Sequence, residues 1–161
     1  MVSTGTNILV SGTGNNQTVI NTVWDVYKDS YHQCREIVQQ LANLPIYDAC
    51  NSIFWYVYEN VKYQEDPGNN QLVKTPARLL ADGIGDCKSM AIMAASCLRC
   101  LGIPCVFRFV SFNNKPIYTH VYIVAYDEQD NEIIIDPVER INGQPKFNYA
   151  QAYALKKDIR C

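Results

Sequence analysis

Apolar residues recur every three or four positions up to Gly102 and every second position beyond Cys105, and this change of period divides the chain. From Thr18, the residues Ile20, Val23, Trp24, Tyr27, Tyr31, Cys34, Val38 and Leu41 share one helical face, while Asp25, Lys28, Asp29 and Arg35 lie elsewhere. Pro45 closes this first helix. A second amphipathic helix spans Asp48 to Val61, with Cys50, Ile53, Phe54, Val57, Tyr58 and Val61 on its apolar stripe. Lys62 to Asp82 carries Pro67, Gly68, Asn69, Asn70 and Pro76, so it reads mostly as loop with a short helix from Pro76 to Ala81.

The third helix runs from Cys87 to Leu101, with Met90, Ala94, Cys97, Leu98 and Leu101 as its stripe, and Gly102 and Pro104 end it. Strands follow at Cys105 to Phe112, Tyr118 to Tyr126 and Glu132 to Asp136, joined by turns at Asn113, Asn114 and at Asp127 to Asn131. Their order implies an antiparallel meander. The tail contains Gly143 and Pro145, then a weak helical patch around Tyr149 to Leu155. Residues 1–17 are rich in Gly, Ser, Thr and Asn and read as a flexible N-terminal arm, or as an edge strand if Ile8, Leu9 and Val10 dock. Residues 18–161 then form a single domain.

Composition narrows the classes. A net charge of −2 gives no electrostatic reason to expect nucleic acid or an anionic membrane as partner. No apolar run approaches the ~20 residues that span a bilayer, and Met1 to Val10 lacks a basic segment followed by a long apolar one. The expected location is the cytoplasm. Seven cysteines is an odd number, and Cys97, Cys100 and Cys105 crowd in or just after one helix, which argues against a disulfide framework and for a reducing compartment.

The candidate chemistry begins at Gly83 to Pro104. Two glycines admit a tight turn, Asp86 suits an N-cap, and Cys87 falls in the first helical turn, where free N–H groups and the helix dipole favour a thiolate. A buried cysteine opening a capped helix is the packing alternative. Only two histidines are present, so the search for a base is short. His32 reads as a surface or satisfied residue of the first helix. His120 opens the strand that ends at Tyr126, and the next strand ends at Asp136.

Parity tests whether His120 and Asp136 meet. Val121, Ile123 and Ala125 are apolar, as are Ile133 and Ile135. If these share one face, His120 and Asp136 share the other. That requires Tyr126 opposite Glu132 across a five-residue loop, which puts Asp136 diagonal to His120, within side-chain reach. With Cys87 opening a helix packed on that face, the three residues form a thiol nucleophile, an imidazole base and an orienting carboxylate. The implied chemistry is acyl transfer, with an oxyanion held by the Cys87 amide and a second donor.

Gly85, Asp86, Cys87, Ala91, the run Leu101 to Pro104, His120 followed by Val121 and Tyr122, and Asp136–Pro137 together resemble the transglutaminase-like branch of the papain-type cysteine enzymes. The resemblance extends from about Ile53 to Pro137, since Val61, Lys62, Tyr63 and Pro76 to Leu80 also fit. It implies an α+β papain/transglutaminase-like fold, with a helical N-terminal half and the nucleophile on a central helix packed against a C-terminal antiparallel β-sheet. It also implies a triad of Cys87, His120 and Asp136. Tyr122 stands where many members have tryptophan, and Lys88 where many have an acidic or aromatic residue. The motif does not fix the second oxyanion donor; Gln71 and Tyr63 are the candidates upstream of the cysteine.

Rival readings are weaker. Cys97, Cys100, Cys105 and His120 have ligand-like spacing, yet the first two lie a turn apart on a helix whose inward positions are apolar, where cysteine serves as a small hydrophobe. The expectation is therefore no metal and no cofactor. The Cys97–Cys100 pair ends a helix instead of starting one, unlike a thioredoxin-type redox pair. Several of the eleven tyrosines fall on core stripes, which favours packing over ligand stacking. The main rival is a non-catalytic module of a larger assembly, such as a phage particle, which would make the protein virion-associated. All three triad residues are present, and this favours an enzyme. A protein or peptide substrate is the expected partner, and oligomeric state is not encoded legibly. A small domain has little to exclude water, so peptidase or amidohydrolase action is preferred to protein-glutamine transamidation.

Overall fold

The computed structural model describes residues 8–11, 16–65, 70–115 and 117–161. Helices α1 (Asn16–Ser30), α2 (Ile46–Asn60), α3 (Pro76–Asp82) and α4 (Cys87–Leu101) precede the main sheet. That sheet contains β5 (Cys105–Ser111), β6 (His120–Tyr126), β7 (Glu132–Ile135) and β10 (Leu155–Arg160), in the order β10-β5-β6-β7 and antiparallel throughout. Three small pairs surround it: β1 (Ile8–Ser11) with β3 (Asn70–Val73), β2 (Lys62–Tyr63) with β4 (Ile84–Gly85), and β8 (Arg140–Ile141) with β9 (Gln144–Pro145). This is the α+β architecture the resemblance implies. Among the described residues no helix is long and apolar enough to cross a membrane.

Helix α4 is the hub. Every residue from Lys88 to Leu98 is buried, which goes beyond the single stripe expected from its sequence. CKSMAIMAASCLRCL is apolar or small nearly all round, and such a helix is stable only when enclosed. Val23, Tyr27, Ile53, Phe54 and Val57 of α1 and α2 join Val121, Ile123, Ala125, Ile133 and Ile135 of the sheet around it in one continuous core. The helix packs on the apolar face of β5 and β6, with α2 against β7, not on the face of His120 as the parity reading supposed. Cys87 lies at the helix end, and the contact with His120 is made there.

The first helix departs from expectation as well. α1 stops at Ser30, and Tyr31–Cys34 and Gln39–Leu41 continue as short 3-10 turns. No proline or glycine forces the break. The Ser30 hydroxyl bonds back to the Val26 carbonyl, a geometry that bends helices. The bent segment then wraps α4, with the Cys100 thiol 3.4 Å from the Tyr31 carbonyl and Cys34 and Val38 still in the core. The Lys62 to Asp82 stretch contributes β2 and β3 as well as α3, more structure than its proline and asparagine content suggested.

Strand registers set the site. Tyr126 pairs with Glu132 and Ile123 with Ile135 across the loop 127–131, as the parity argument required. The Asp127 carboxylate caps that loop by accepting from the amides of Gln129 and Asn131, each at 2.9 Å. The expected helical patch at Tyr149 to Leu155 is absent: 149–154 is irregular, and Leu155 begins β10, which pairs with β5. Its alternating burial fits an edge strand. Asp158 holds Arg108 of β5 at 2.8 Å, a tie between positions far apart in sequence. On this second face of the sheet a smaller cluster forms, with Val110, Tyr122 and Val124 covered by Ala150 and Tyr153.

Candidate active site

Helix α4 begins at a turn with little freedom. Gly83 takes φ +69° as the C-cap of α3, a left-handed conformation that side chains resist. A Cβ on Gly85 would fall 2.4 Å from Cδ1 of the fully buried Leu79, so any larger residue must displace core packing. β2 and β4 pair in parallel beside this turn, with the Lys62 amide on the Gly83 carbonyl at 2.8 Å and the Gln64 amide on the Gly85 carbonyl at 2.9 Å. Asp86 is the N-cap: its Oδ1 accepts from the Lys88 amide at 3.1 Å, and its Oδ2 binds the Lys88 ammonium. Ser89 ties the turn to the preceding segment, its hydroxyl accepting from the Lys74 amide at 3.0 Å.

Cys87 is half-buried at the first position of α4, where its amide has no acceptor within the helix. His120, the first residue of β6, has Nε2 2.6 Å from Asp136 Oδ2. Asp136 is buried, and its Oδ1 accepts from the Val138 amide at 3.1 Å, which fixes the carboxylate plane. The Cys87 thiol lies beside the imidazole, close enough to help raise its pKa. Since Nε2 faces the carboxylate, Nδ1 is the nitrogen left for the thiol. Burial pulls the imidazole pKa down, but Asp136 and Cys87 outweigh it and push the group up to about 10.

Of the two upstream candidates, Tyr63 reaches the site. It pairs with Gly85 in the parallel ladder, and burial together with nearby Cys87 pushes its phenol pKa up, so the hydroxyl keeps its proton. That hydroxyl donates to Glu65 at 3.2 Å. The backbone of Gln71 lies in β3 opposite Val10, and its side chain is outside the described residues. His32 is exposed and packs edge-on against Tyr31, away from this constellation.

Sequence reasoning missed two residues here. Glu139 follows the turn after Asp136, and its carboxylate accepts from the Tyr153 hydroxyl at 2.6 Å and from Gln151 Nε2 at 2.8 Å. Held in this way, the Tyr153 ring lies 6.3 Å from the His120 ring and 6.1 Å from that of Tyr122. No local pattern announces the contact, because Tyr153 arrives from the far end of the chain. Donor atoms of His120, Asp136 and Glu139 fall within 4.8 Å of one another. Their neighbours make this a hydrogen-bond network, since both carboxylates are engaged as described.

The other thiols are arranged differently. All seven thiols are free. Cys97 beside Cys34, and Cys161 beside Cys105, together with burial push the Cys34 and Cys105 thiols up, into their protonated form. Burial pushes Cys50 up to about 12 and raises Cys100 as well. Of the three cysteines weighed as metal ligands, Cys100 bonds to the Tyr31 carbonyl at 3.4 Å, Cys97 lies beside Cys34 and Cys105 beside Cys161.

Known structures share this arrangement of helices and sheet. A protein of Parabacteroides distasonis described as a protease candidate superposes with TM-score 0.61 at 15% identity, over 73% of this chain and 26% of that one. Legionella pneumophila LapG gives 0.53 at 17% identity over 80% and 76%. A Cytophaga hutchinsonii protein described as a cysteine protease candidate gives 0.50 at 17%, over 96% and 62%. The chain thus spans about a quarter of the first protein's length and less than two thirds of the third's. At these identities the likeness is one of fold. No curated protein sequence matches this one. The profile of the transglutaminase-like superfamily, however, matches residues 32–137, a stretch that includes Cys87, His120 and Asp136, and the chain belongs to that superfamily.

Proposed function

We propose that the domain performs cysteine-dependent acyl transfer on an amide bond, with Cys87 as nucleophile, His120 as general base and acid, and Asp136 as the group that orients the imidazole. The observation that carries this reading is one imidazole held by a buried carboxylate at 2.6 Å and lying beside Cys87, the one thiol among the described residues that opens a helix. The Cys87 proton already rests on the His120 imidazolium, whose pKa is raised to about 10, and the sulfur attacks the carbonyl carbon as the thiolate. The tetrahedral oxyanion then meets the Cys87 amide, which has no acceptor within the helix. Tyr63 is the second donor in this scheme; to serve, its hydroxyl must leave Glu65. The imidazolium next protonates the leaving nitrogen, and an acyl-enzyme remains. Water resolves it in a peptidase or amidohydrolase, the reading we adopt. An amine resolves it in a protein-glutamine transamidase, which incubation with a glutamine peptide and a fluorescent primary amine would reveal.

Thiol reactivity tests the core of the proposal. Near pH 6, iodoacetamide should alkylate Cys87 at least about tenfold faster than any of the other six cysteines, because an ordinary thiol is almost wholly protonated there. Peptide mapping after short exposure gives the rates, and equal labelling of Cys87 and the half-buried Cys100 or Cys161 would sink the activated-thiol reading.

A further inference from the structure

We infer that Phe112 and Tyr153 form an aromatic shelf, running out from His120, that binds an apolar side chain on the leaving-group side of the scissile amide; this rests on the acyl-transfer reading above. The two most exposed large apolar residues among those described are Phe112 at 59% and Ile117 at 55%, both in the connection that leads from β5 into His120. The Phe112 ring lies 5.0 Å from that of Tyr153, which in turn lies 6.3 Å from His120. Glu139 anchors the Tyr153 hydroxyl at 2.6 Å, so the ring next to the imidazole is held in place before any ligand arrives.

Packing does not explain Phe112, since most of its surface faces water, where an aromatic ring loses the stabilisation that burial supplies. Reaction geometry supplies an occupant. The imidazolium must deliver its proton to the leaving nitrogen, so that nitrogen stands on the His120 side of the carbonyl. The residue carrying it continues past His120, and the surface that continues past His120 is Tyr153 and then Phe112. An apolar side chain on that residue would cover the exposed ring. By microscopic reversibility, an incoming amine that captures the acyl group occupies the same ground. Its nitrogen forms the C–N bond, the C–S bond breaks with its electron pair on sulfur, and the amine proton passes to His120.

That reversal supplies the test. Wild-type protein is acetylated with p-nitrophenyl acetate, and the acetyl group is partitioned between water and phenylalanine amide, leucine amide or glycine amide at equal free-base concentration. Phenylalanine amide and leucine amide should capture it about tenfold more efficiently than glycine amide, the scale of one well-placed apolar contact. Phe112→Ser should compress the preference to within about twofold, and Phe112→Leu should retain most of it. Equal capture of the three amides by wild-type protein, or an unchanged preference in Phe112→Ser, overturns the shelf. Absence of a nitrophenol burst with no acetyl group on Cys87 overturns acyl transfer itself, and the shelf with it. A burst without amide preference overturns the shelf alone.

Discussion

The two faces of the central sheet are built by different rules. The face toward α4 is a regular alternation, Val121, Ile123 and Ala125 against Ile133 and Ile135, sealed by helices and almost without polar atoms. The opposite face holds His120, Tyr122 and Arg108, with the Arg108 guanidinium between Glu132 at 2.7 Å and Asp158 at 2.8 Å. Its cover comes from the irregular 149–154 segment. One face supplies folding energy and the other holds titratable groups at fixed distances, and in the proposed function Cys87, carried by a helix on the first, acts with the second. Substitutions on the apolar face should therefore move stability, and substitutions on the polar face should move chemistry.

The largest expected separation is at His120. His120→Ala should slow acetylation of Cys87 about 10³- to 10⁴-fold in the folded fraction, the range of a positioned general base, and the loss should persist when the rate is corrected for the fraction unfolded. Burst kinetics and calorimetry on the same sample make the comparison; full-rate acetylation in the mutant would dismiss the triad. Ile123→Ala tests the converse. The residue is fully buried, and truncation should cost about 2–5 kcal/mol of unfolding free energy in urea titrations. The folded fraction should still be acetylated at a rate within severalfold of wild type. Loss of acetylation without loss of stability would break the division between the faces.

The smallest effect is one of pH. The His120 pKa is raised to about 10 in the folded protein, so the stability it contributes is complete below the ordinary histidine value near 6.5. That contribution fades as pH rises through about 10. The difference in unfolding free energy between wild type and His120→Gln should accordingly shrink from pH 6 to pH 10. A pH-independent difference would mean that the imidazole is not held as a cation by Asp136 and Cys87.

The same contrast explains what the sequence made legible. Alternating isoleucine and valine announce a half-buried strand, and a five-residue loop fixes the register, so the relation of His120 to Asp136 could be worked out before any coordinates. Asp86 and Gly102 announce the ends of α4 by local chemistry alone. β10 escaped because LKKDIR contains only Leu155 and Ile159 as apolar residues; it is a strand because β5 offers an open edge and Arg108 offers a charge partner. Tyr153 escaped for a similar reason, since its significance depends on Glu139 and His120, which no sequence window contains together. The break at Ser30 carries no proline or glycine signal; it coincides with the Ser30 hydroxyl bonding back to the Val26 carbonyl, and the segment beyond it wraps α4.

Enclosure of α4 on every side from Lys88 to Leu98 also has a consequence for motion. An element with no solvent-facing edge cannot open by itself, so its amides should exchange hydrogen only when the whole domain unfolds. Cys87, at the first position of that helix, is thereby joined to the part of the fold that opens last.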